Sequence, residues 1–491
     1  MRRPGQQRQQ SWYIRHVLEP QRTPLANIGS LQFWRMFRES RKYFLLVALA
    51  ALALRLLFYL RFPHVTGDSL TYGDIARNWL DHGIYGLSHA QGPQPTWIRL
   101  PGYPAFLAAC FVLFGREHYH AVLLVQIVVD IAACFFIADL ARRTVSDLAG
   151  RIAFLLAALC PFTANYTAAP LTETLSIFST AVALDCAVAA FTSSEEQRSP
   201  WAAWTWCGVA LSAGIMLRPD GGILLVAIGL FLLWRMWERA AERTYLFWAG
   251  VLVLVVSVAP LAPWTLRNWR DFHRFQPLAP RYASDPDEFV PAGFQKWMRT
   301  WVVDYVSTEE VYWQVPGEDV ELNNLPSRAF DDAQQRQQTQ TIFDDYRKTH
   351  FVGPELDARF AELAKQRIRK HPLRYYVWLP ILRIGDMWLR PRTEMLPLDT
   401  RWWEYAGDMR DCVIATLWGV LNLLFVLAAV MGVVRGPRPR YLALMLLFVL
   451  LRSAFLGTME NPEPRYTLEC YPVVFVLGAA WISGLKVRIP S

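Results

Sequence analysis

The chain has 491 residues, of which 53% are hydrophobic and only 19% are charged. A soluble protein of this length carries more charge and does not collect its apolar residues in runs of about 20, so the composition excludes an ordinary soluble enzyme. The net charge of +8 does not imply a nucleic-acid partner. Much of that charge precedes the first apolar run, where basic residues signal membrane orientation.

Residues 1–42 are predicted to form a basic cytoplasmic tail. They hold nine Lys and Arg residues against Glu19 and Glu39. The tail is too long and too polar for a cleaved signal peptide, so we expect the apolar segment that follows to be retained. The seven cysteines fall in apolar segments without CxxC spacing, which indicates small buried side chains.

Ten apolar runs are predicted to cross the membrane as helices. They are Tyr43–Leu60, Tyr119–Ala141, Ala149–Ala169, Leu171–Phe191, Ala202–Leu217, Gly221–Trp237, Leu246–Trp264, Asp411–Val434, Tyr441–Gly457 and Tyr466–Leu485. An even number of spans puts both termini on one side, and the basic tail and loops place that side in the cytoplasm. The predicted fold class is an all-α polytopic membrane protein with about ten transmembrane helices.

Two shorter apolar stretches, Tyr103–Phe114 and Tyr375–Leu389, are predicted to be helices in the plane of the membrane interface. The first belongs to an outer loop at residues 61–118. The second belongs to a large extracytoplasmic loop at residues 265–410, where Ser327–Lys348 and Pro354–Lys370 also have helical spacing. The outer loops divide the chain into a membrane module at residues 43–264 and C-terminal membrane helices at residues 411–491.

The first outer loop carries an acidic residue, Asp68, at the predicted boundary between lipid and water. It lies between a span and a short amphipathic helix with Leu70, Ile75 and Trp79 on its apolar side. Burial between helices would raise the pKa of this carboxyl group and make it a usable base. The alternative is that Asp68 caps the N terminus of the short helix.

An arginine, Arg99, precedes a Pro-Gly-Tyr-Pro turn at residues 101–104 of the same loop. A guanidinium group held at the membrane surface can bind a phosphate through paired N–H donors. The alternative is an ordinary interfacial anchor, whose charged end reaches toward water.

An acid after the first span, then Tyr72, and then an Arg-x-Pro-Gly-Tyr-Pro turn resemble the lipid-sugar-dependent glycosyltransferases of family 39. These include the protein O-mannosyltransferases and the aminoarabinose transferases of lipid A. Further similar segments follow in order at Pro170–Leu175, Leu217–Gly221, Pro263–Asn268 and Glu463–Tyr466. The resemblance covers roughly residues 43–275 and 455–485 and implies the GT-C membrane fold. In one departure, Ser69 stands where many members have Glu.

The resemblance implies that Asp68 accepts the proton of an acceptor hydroxyl, whose oxygen attacks the sugar C1 while polyprenyl phosphate leaves with inversion. Such a leaving group needs charge stabilisation more than acid catalysis. The implied phosphate and sugar ligands are Arg99, Arg465, Arg218, Tyr72, Tyr103 and Arg267. Glu173 would position the sugar or acceptor, although an acid in the first turn of a helix also favours the helix dipole.

The predicted function is therefore membrane glycosyl transfer from a polyprenyl-phosphate sugar, at the outer face of a bacterial plasma membrane. The acceptor is left open between lipid, glycan and protein. Histidines lack metal-binding spacing, so no metal or other cofactor is predicted, although Asp68, Glu173 and His89 are a conceivable divalent set.

Three other functions are weighed against this one. A transporter or lipid flippase needs ionisable residues at mid-depth in several spans, and Arg55, Asp130 and Asp185 are the clear intramembrane charges. A surface-polysaccharide polymerase or ligase uses diphosphate-linked glycans. A non-catalytic scaffold would keep the membrane topology of the family and lose the catalytic acid. The gathering of candidate residues at one membrane face favours transfer.

Overall fold

The computed structural model describes residues 31–196, 198–404 and 409–487. Residues 1–30 of the predicted tail and Arg488 lie outside them. The helices of the membrane part that precede the outer segment are α1 (Leu31–Glu39), α2 (Arg41–Arg61), α3 (Gly67–His82), α4 (Gly102–Phe114), α5 (Tyr119–Thr144), α6 (Asp147–Ala158), α7 (Pro161–Tyr166), α8 (Glu173–Glu195), α9 (Trp201–Leu217), α10 (Gly222–Glu238), α11 (Arg243–Val258) and α12 (Leu261–Phe272).

The outer segment, defined here as residues 273–404, contains α13 (Ala292–Met298), α14 (Ala333–Tyr346), α15 (Pro354–Lys370) and α16 (Leu379–Leu389). The chain then returns to the membrane with α17 (Met409–Val434), α18 (Leu442–Leu456) and α19 (Tyr471–Val487). Short helical turns lie at Pro219–Gly221, Ala240–Glu242, Tyr305–Ser307, Thr308–Tyr312, Leu322–Asn324, Ser327–Ala329, Arg374–Trp378, Trp402–Glu404 and Pro464–Cys470.

The chain is an all-α polytopic membrane protein, as predicted. Its described residues contain seven helices that are long and apolar enough to cross a membrane. Two further predicted spans form the shorter apolar helices α9 and α18. The remaining one, Ala149–Ala169, is divided into α6 and α7 before Pro161, whose ring disfavours helical geometry in the preceding residue. Cys160 and Pro161 at this break are buried inside the bundle, where irregular backbone is tolerated, whereas the Leu159 side chain is exposed.

The first outer loop contains a short antiparallel hairpin that was not predicted. Strands β1 (Gly86–His89) and β2 (Gly92–Pro95) pair from Gly86 with Pro95 to His89 with Gly92. Both strands are only four residues long, so period-two alternation gives little signal in the sequence. The hairpin packs against α3, and α3 in turn packs against α4.

The helix after α11 extends farther than predicted. A bend at Ala259 and Pro260 joins α11 to α12, which continues to Phe272 rather than ending near Trp264. Together with the preceding turn they form a 33-residue helical stretch, longer than the roughly 20 residues that a bilayer needs. The outer loop therefore starts near residue 273 instead of Thr265.

The outer segment has a hydrophobic core of its own. Side chains of α13, α14 and α15 and of the segment between α13 and α14 form it, including the buried Trp297, Trp301, Phe343 and Phe360. The predicted helix at Pro354–Lys370 is found unchanged. The predicted helix at 327–348 is shorter, because Asp332 caps α14 by accepting a hydrogen bond from the backbone N–H of Gln335.

The predicted interfacial helix at 375–389 is a wide helical turn followed by α16. It exposes Trp378, Ile381 and Leu382 on one side, which suits contact with the lipid interface. On the other side Arg383 is buried and donates hydrogen bonds to the backbone carbonyls of Arg299, Val302 and Gly457. These bonds attach α16 to the chain just after α13 and to the residue that follows α18.

The intramembrane charges identified in the sequence are paired. Arg55 lies 2.5 Å from Asp130 and also donates to the carbonyl oxygen of Ala158, at the break after α6. Asp185 lies 3.1 Å from Arg143. The list from the sequence was incomplete, because Arg452 lies in the predicted span Tyr441–Gly457 and is fully buried.

Candidate active site

A cavity of about 620 Å³ lies between the outer ends of the membrane helices and the outer segment. The first outer loop, the start of α8, the turn after α9, the end of α18 and residues 279–283 of the outer segment contribute to its wall. Six of the eight predicted site residues line it: Asp68, Tyr72, Arg99, Glu173, Arg218 and Arg465. The folded chain thus brings together residues up to 397 positions apart in sequence.

Asp68 is positioned by the start of α3. The cap of this helix is Thr66, whose side chain accepts from the backbone N–H of Ser69, while the Ser69 hydroxyl accepts from the backbone N–H of Thr66. This reciprocal arrangement is a capping box. The alternative that Asp68 caps the helix is therefore wrong. Thr66 is the cap and Ser69 completes the capping box, while Asp68 lines the cavity.

Arg99 is held beside Asp68 by a fixed loop. Its Nη2 donates to Asp68 Oδ1 over 2.8 Å, and its guanidinium lies 5.6 Å from the centre of the Tyr72 ring. Upstream, Thr96 donates to the carboxylate of Asp285 from the outer segment. Downstream, Gly102 touches the backbone of Met216 at the end of α9, so closely that a Cβ there would come within 2.5 Å of it.

Arg465 connects three acidic side chains. Its Nη2 lies 3.7 Å from Asp68 Oδ2, its Nη1 lies 3.6 Å from Glu173 Oε1, and its Nε lies 2.6 Å from Glu463 Oε2. The Tyr466 hydroxyl also donates to Glu463. Glu463 therefore holds the inner edge of the guanidinium, and the two Nη atoms face the carboxylates of the cavity.

Arg218 follows α9 and pairs with acids on both sides. Its Nη1 lies 3.4 Å from Glu173 Oε1, and its Nε donates to Asp220 Oδ1 over 3.1 Å. Its guanidinium lies 4.8 Å from the centre of the Tyr466 ring. Glu173 is the first residue of α8, as the dipole argument expected, but it also contacts two guanidinium groups of the cavity.

Two predicted site residues lie outside the cavity lining. Tyr103 is fully buried behind it, donates from its hydroxyl to Gln126 Oε1 over 2.8 Å, and packs edge-on against Tyr72. Arg267 donates from Nη1 and Nη2 to the backbone carbonyls of Thr96 and Tyr85. Both residues therefore support the cavity from behind its wall. Arg267 does so by holding the segment that leads to Arg99.

Several charged residues of the site were not singled out from the sequence. Glu463 and Asp220 stand inside two of the similar segments, next to the arginines that were chosen. Arg452 donates from Nη2 to Asp220 Oδ2 over 2.9 Å and lies 2.8 Å from Glu469 Oε1. An arginine inside an apolar run is the signal that would have found it, because such residues are costly in lipid.

The outer end of the cavity has a different composition. Glu460 is buried and accepts from Arg281 Nη2 over 2.8 Å. The aromatic side chains of Tyr282, Tyr312 and Trp313 line the same part. The inner end of the cavity is rich in arginine. The outer end instead offers aromatic faces and polar groups of the kind that bind an uncharged polar molecule.

The pKa of Asp68 differs from the direction expected from burial alone. Burial acts to raise it, but the positive charges of Arg99, Arg465 and Arg218 outweigh that effect and leave the pKa below its ordinary value. The expectation of a raised pKa is therefore wrong for the empty site. The carboxylate is ionised at neutral pH and keeps 36% of its side-chain surface accessible, on the cavity wall.

Within the described part of the chain, no three His, Cys, Asp or Glu side chains are grouped so that they could hold a metal ion. The conceivable set with His89 is thus not assembled among these residues. The positive charge of the cavity comes from its arginine side chains.

Residues 94–264 match the family model described as dolichyl-phosphate-mannose-protein mannosyltransferase. This range contains Arg99, Glu173 and Arg218. No curated protein sequence matches the chain significantly.

Among solved structures, the fold matches the oligosaccharyltransferase of Archaeoglobus fulgidus with an acceptor peptide tethered to it, at 12% identity and a TM-score of 0.50. The match covers 92% of this chain and 50% of that one. The same archaeal protein in complex with an inhibitory peptide and a dolichol-phosphate matches at 13% identity and a TM-score of 0.50, over 93% and 52% of the two chains.

ArnT from Cupriavidus metallidurans bound to undecaprenyl phosphate is a further match, at 13% identity and a TM-score of 0.39, covering 88% of this chain and 77% of that one. The chain spans about half the length of the archaeal structures. The resemblance found in the sequence is confirmed for the fold: the chain has the GT-C membrane glycosyltransferase fold, and its residues 94–264 are similar to the protein mannosyltransferase family model.

Proposed function

We propose that the protein is a glycosyltransferase that moves a sugar from a polyprenyl-phosphate carrier to an acceptor hydroxyl, with inversion at the sugar C1. The observation that carries this proposal is the carboxylate of Asp68, held between Arg99 and Arg465 on the wall of a cavity. A base and an anion-binding group in contact are what a single displacement from a phosphate carrier requires.

The inner end of the cavity binds the carrier phosphate. Arg99, Arg218 and Arg465 present guanidinium groups there, and two or three of them on one phosphate give short, charge-assisted hydrogen bonds. The family model of residues 94–264 is named for a dolichyl-phosphate-mannose donor, and one archaeal structure of this fold holds a dolichol-phosphate. Both support a lipid phosphate as the donor headgroup.

Asp68 accepts the proton of the acceptor hydroxyl as its oxygen bonds to C1 and the bond from C1 to the phosphate oxygen breaks. The phosphodiester leaves as a monoester, and the arginines stabilise the charge that develops on it. In the empty site those arginines lower the pKa of Asp68. A bound phosphate offsets their charge, so the carboxylate becomes a stronger base when the donor is in place.

The outer end of the cavity receives the acceptor. Tyr282, Tyr312 and Trp313 supply apolar faces there, and Glu460 supplies a buried polar group. We place this end at the extracytoplasmic face of a bacterial plasma membrane, with both termini in the cytoplasm. The basic residues at the opposite ends of the spans support that orientation.

The transfer is proposed to need no metal ion or other cofactor, because three guanidinium groups supply the positive charge that the leaving phosphate requires. Transfer by membranes is expected to be unchanged after treatment with EDTA. A loss of activity that Mg²⁺ or Mn²⁺ restores would contradict this part of the proposal.

Asp68→Asn tests the proposed base. Surface lipids, glycans and secreted proteins of a deletion strain, complemented with each variant, are compared by mass spectrometry. We expect Asp68→Asn to show the same missing sugar as the deletion, at normal protein abundance, because the amide cannot accept the proton. Asp81→Asn is the matched control, since Asp81 lies in the same helix but pairs with Arg116 outside the cavity lining. Normal glycosylation with Asp68→Asn would remove Asp68 as the base.

A further inference from the structure

The ion pairs of the cavity continue into the helix bundle as one connected group, here called the charged cluster. Its guanidinium groups belong to Arg99, Arg218, Arg452 and Arg465, and its carboxylates belong to Asp68, Glu173, Asp220, Glu463 and Glu469. Each member lies within 4.0 Å of an oppositely charged member, and the pairs join into one connected network that branches at Arg465.

The charged cluster has five acidic and four basic members, an excess of one carboxylate. Two carboxylates have a single guanidinium partner in the cluster. Glu463 shares Arg465 with Asp68 and Glu173, and at the inner end Glu469 shares Arg452 with Asp220. By contrast Asp220 contacts two arginines, and Glu173 also contacts two.

The inner end is closed to water. Side-chain exposure is 0% for Arg452 and 7% for Glu469, against 36% for Asp68 at the cavity. A net charge in such surroundings costs several kcal/mol per ion unless it is paired or neutralised. An ionisable group there responds to added charge by changing its protonation state.

The proposed donor adds one more negative charge, because its phosphodiester is a monoanion. It binds Arg99, Arg218 and Arg465, and so draws on the same positive charge that balances the five carboxylates. We infer that binding of a lipid phosphodiester in this cavity is coupled to uptake of a proton by the charged cluster, and that Glu469 holds this proton. The inference rests on the proposed function.

The surroundings of Glu469 favour it over the other carboxylates. The charged groups that face it are Arg452 from α18, Arg218 and Asp220 from the turn after α9, and Glu173 from α8. Glu463 has a guanidinium at 2.6 Å and accepts from Tyr466. Asp68 is the most accessible carboxylate of the cluster and has two arginines, so it stays ionised as the base.

Proton uptake makes donor affinity depend on pH in a fixed direction. When the complex binds one proton more than its separated components, the association constant falls as pH rises, by up to about tenfold per pH unit. A site without the linkage binds a phosphodiester with an affinity that is flat in pH wherever neither partner titrates.

The experiment is titration calorimetry of the purified full chain in detergent with a polyprenyl methyl phosphate. This lipid is a diester, so its own charge is constant across the pH range. Binding is measured at one pH in two buffers that differ in ionisation enthalpy, which gives the number of protons taken up. We expect about one proton per lipid for the wild type and near zero for Glu469→Gln, with binding retained.

Glu195→Gln is the matched control, because Glu195 stands at the far end of α8 and pairs with Arg440. It is expected to take up as many protons as the wild type. Wild-type binding without proton uptake, or unchanged uptake in Glu469→Gln, would overturn the inference while leaving the proposed function standing. Absence of binding by the wild type would overturn the proposed function itself. The pH dependence of wild-type affinity tests the coupling even if the variant fails to fold.

Discussion

Asp68 and Ser69 are neighbours in the first turn of α3 but have different partners. Ser69 is buried and completes the capping box with Thr66, whereas Asp68 contacts Arg99 and Arg465. The helix start is satisfied by the hydroxyl groups, so the carboxylate is not needed as a cap. The other acidic contacts of the cavity arginines come from Glu463 and Glu173.

Truncation of Arg99 and truncation of Arg267 should affect different properties of the protein. Arg99→Ala removes a proposed phosphate ligand and is expected to weaken lipid-phosphate binding by about tenfold or more, since a hydrogen bond to a charged group contributes about 1.5–3 kcal/mol. Arg267→Ala removes the guanidinium donor from the backbone carbonyls of Thr96 and Tyr85, although the Tyr85 carbonyl still accepts from the Thr96 N–H, and is expected mainly to lower the thermal midpoint. Calorimetry with the polyprenyl methyl phosphate and thermal unfolding measure both effects. Equal loss of affinity in the two variants would contradict the distinction.

The sequence places both arginines near predicted membrane boundaries, in segments similar to one family, but it does not show what their guanidinium groups contact. Whether a guanidinium faces a cavity or a backbone carbonyl depends on the packing of distant segments, such as Asp285 against Thr96. Arg452 stands in an apolar run and could have been noticed there, but its pairing with Asp220 and Glu469 depends on contacts that only the fold creates.

At the scale of elements, the turn at Gly102 fixes two parts of the site to each other. A Cβ on Gly102 would come within 2.5 Å of the carbonyl carbon and oxygen of Met216. These are backbone atoms, which cannot move aside as a side chain can. The turn that carries Arg99 therefore sits directly against the end of α9, which carries Arg218.

Gly102→Ala is expected to push the two turns apart and to reduce lipid-phosphate affinity together with thermal stability. Gly229→Ala in α10 is the control, because nothing lies within 4 Å of a Cβ at that position, and Ala is favoured over Gly inside a helix. We expect the control to bind the polyprenyl methyl phosphate like the wild type and to be at least as stable. A fully functional Gly102→Ala variant would show that the close contact is not required.

Asp386 in α16 makes the outer segment sensitive to pH. Burial raises the pKa of Asp386 to about 6, with Arg390 opposing the shift and Asp304 adding to it. A carboxyl whose pKa is raised on folding binds more protons in the folded state between its unfolded value, 3.8, and 6. Stability therefore falls as pH rises through that window and carries the full loss, up to about 3 kcal/mol, above it.

Asp386→Asn is expected to raise the thermal midpoint at pH 7 and to leave it nearly unchanged at pH 4. The amide oxygen can still accept from the backbone N–H of Tyr305, as Asp386 Oδ2 does. Comparing the wild type with the variant at each pH cancels the titration of the other groups. A variant that is less stable than the wild type at pH 7 would contradict the raised pKa.

Element boundaries were predicted well where an apolar run ends in charges and poorly where the backbone changes direction inside the protein. The break before Pro161 follows a local rule, yet the apolar sequence around it continues without interruption. The extension of α12 to Phe272 was missed because this helix is amphipathic and does not continue the apolar run. Its apolar face packs on the first outer loop. The hairpin at 86–95 was missed because its strands are too short for a periodic signal.

For the whole molecule, the distribution of charge separates transfer from transport. Arg55 with Asp130, and Asp185 with Arg143, are buried pairs inside the bundle. A translocation path would need such groups to face a water-filled route. The large cavity instead lies at one end of the helices and is completed by the outer segment. Its shape suits a reaction at the membrane surface.

The two ends of α8 mark the two faces of the membrane. Glu173 contacts the cavity arginines, and Glu195, which lies 2.5 Å from Arg440, marks a basic face. The helix has 23 residues, and at 1.5 Å per residue it spans roughly 33 Å, about the thickness of the hydrocarbon core. The outer segment and the loop that contains Arg438 should therefore lie on opposite sides.

Single cysteines test this orientation in spheroplasts. Lys365→Cys, at an exposed position of α15, is expected to react with a membrane-impermeant maleimide, whereas Arg438→Cys should react only after permeabilisation. The parent chain is the control, because six of its cysteines are buried and Cys412 is partly buried. Labelling of Arg438→Cys but not Lys365→Cys in intact spheroplasts would invert the topology. It would place the cavity in the cytoplasm, where an extracytoplasmic acceptor could not reach Asp68.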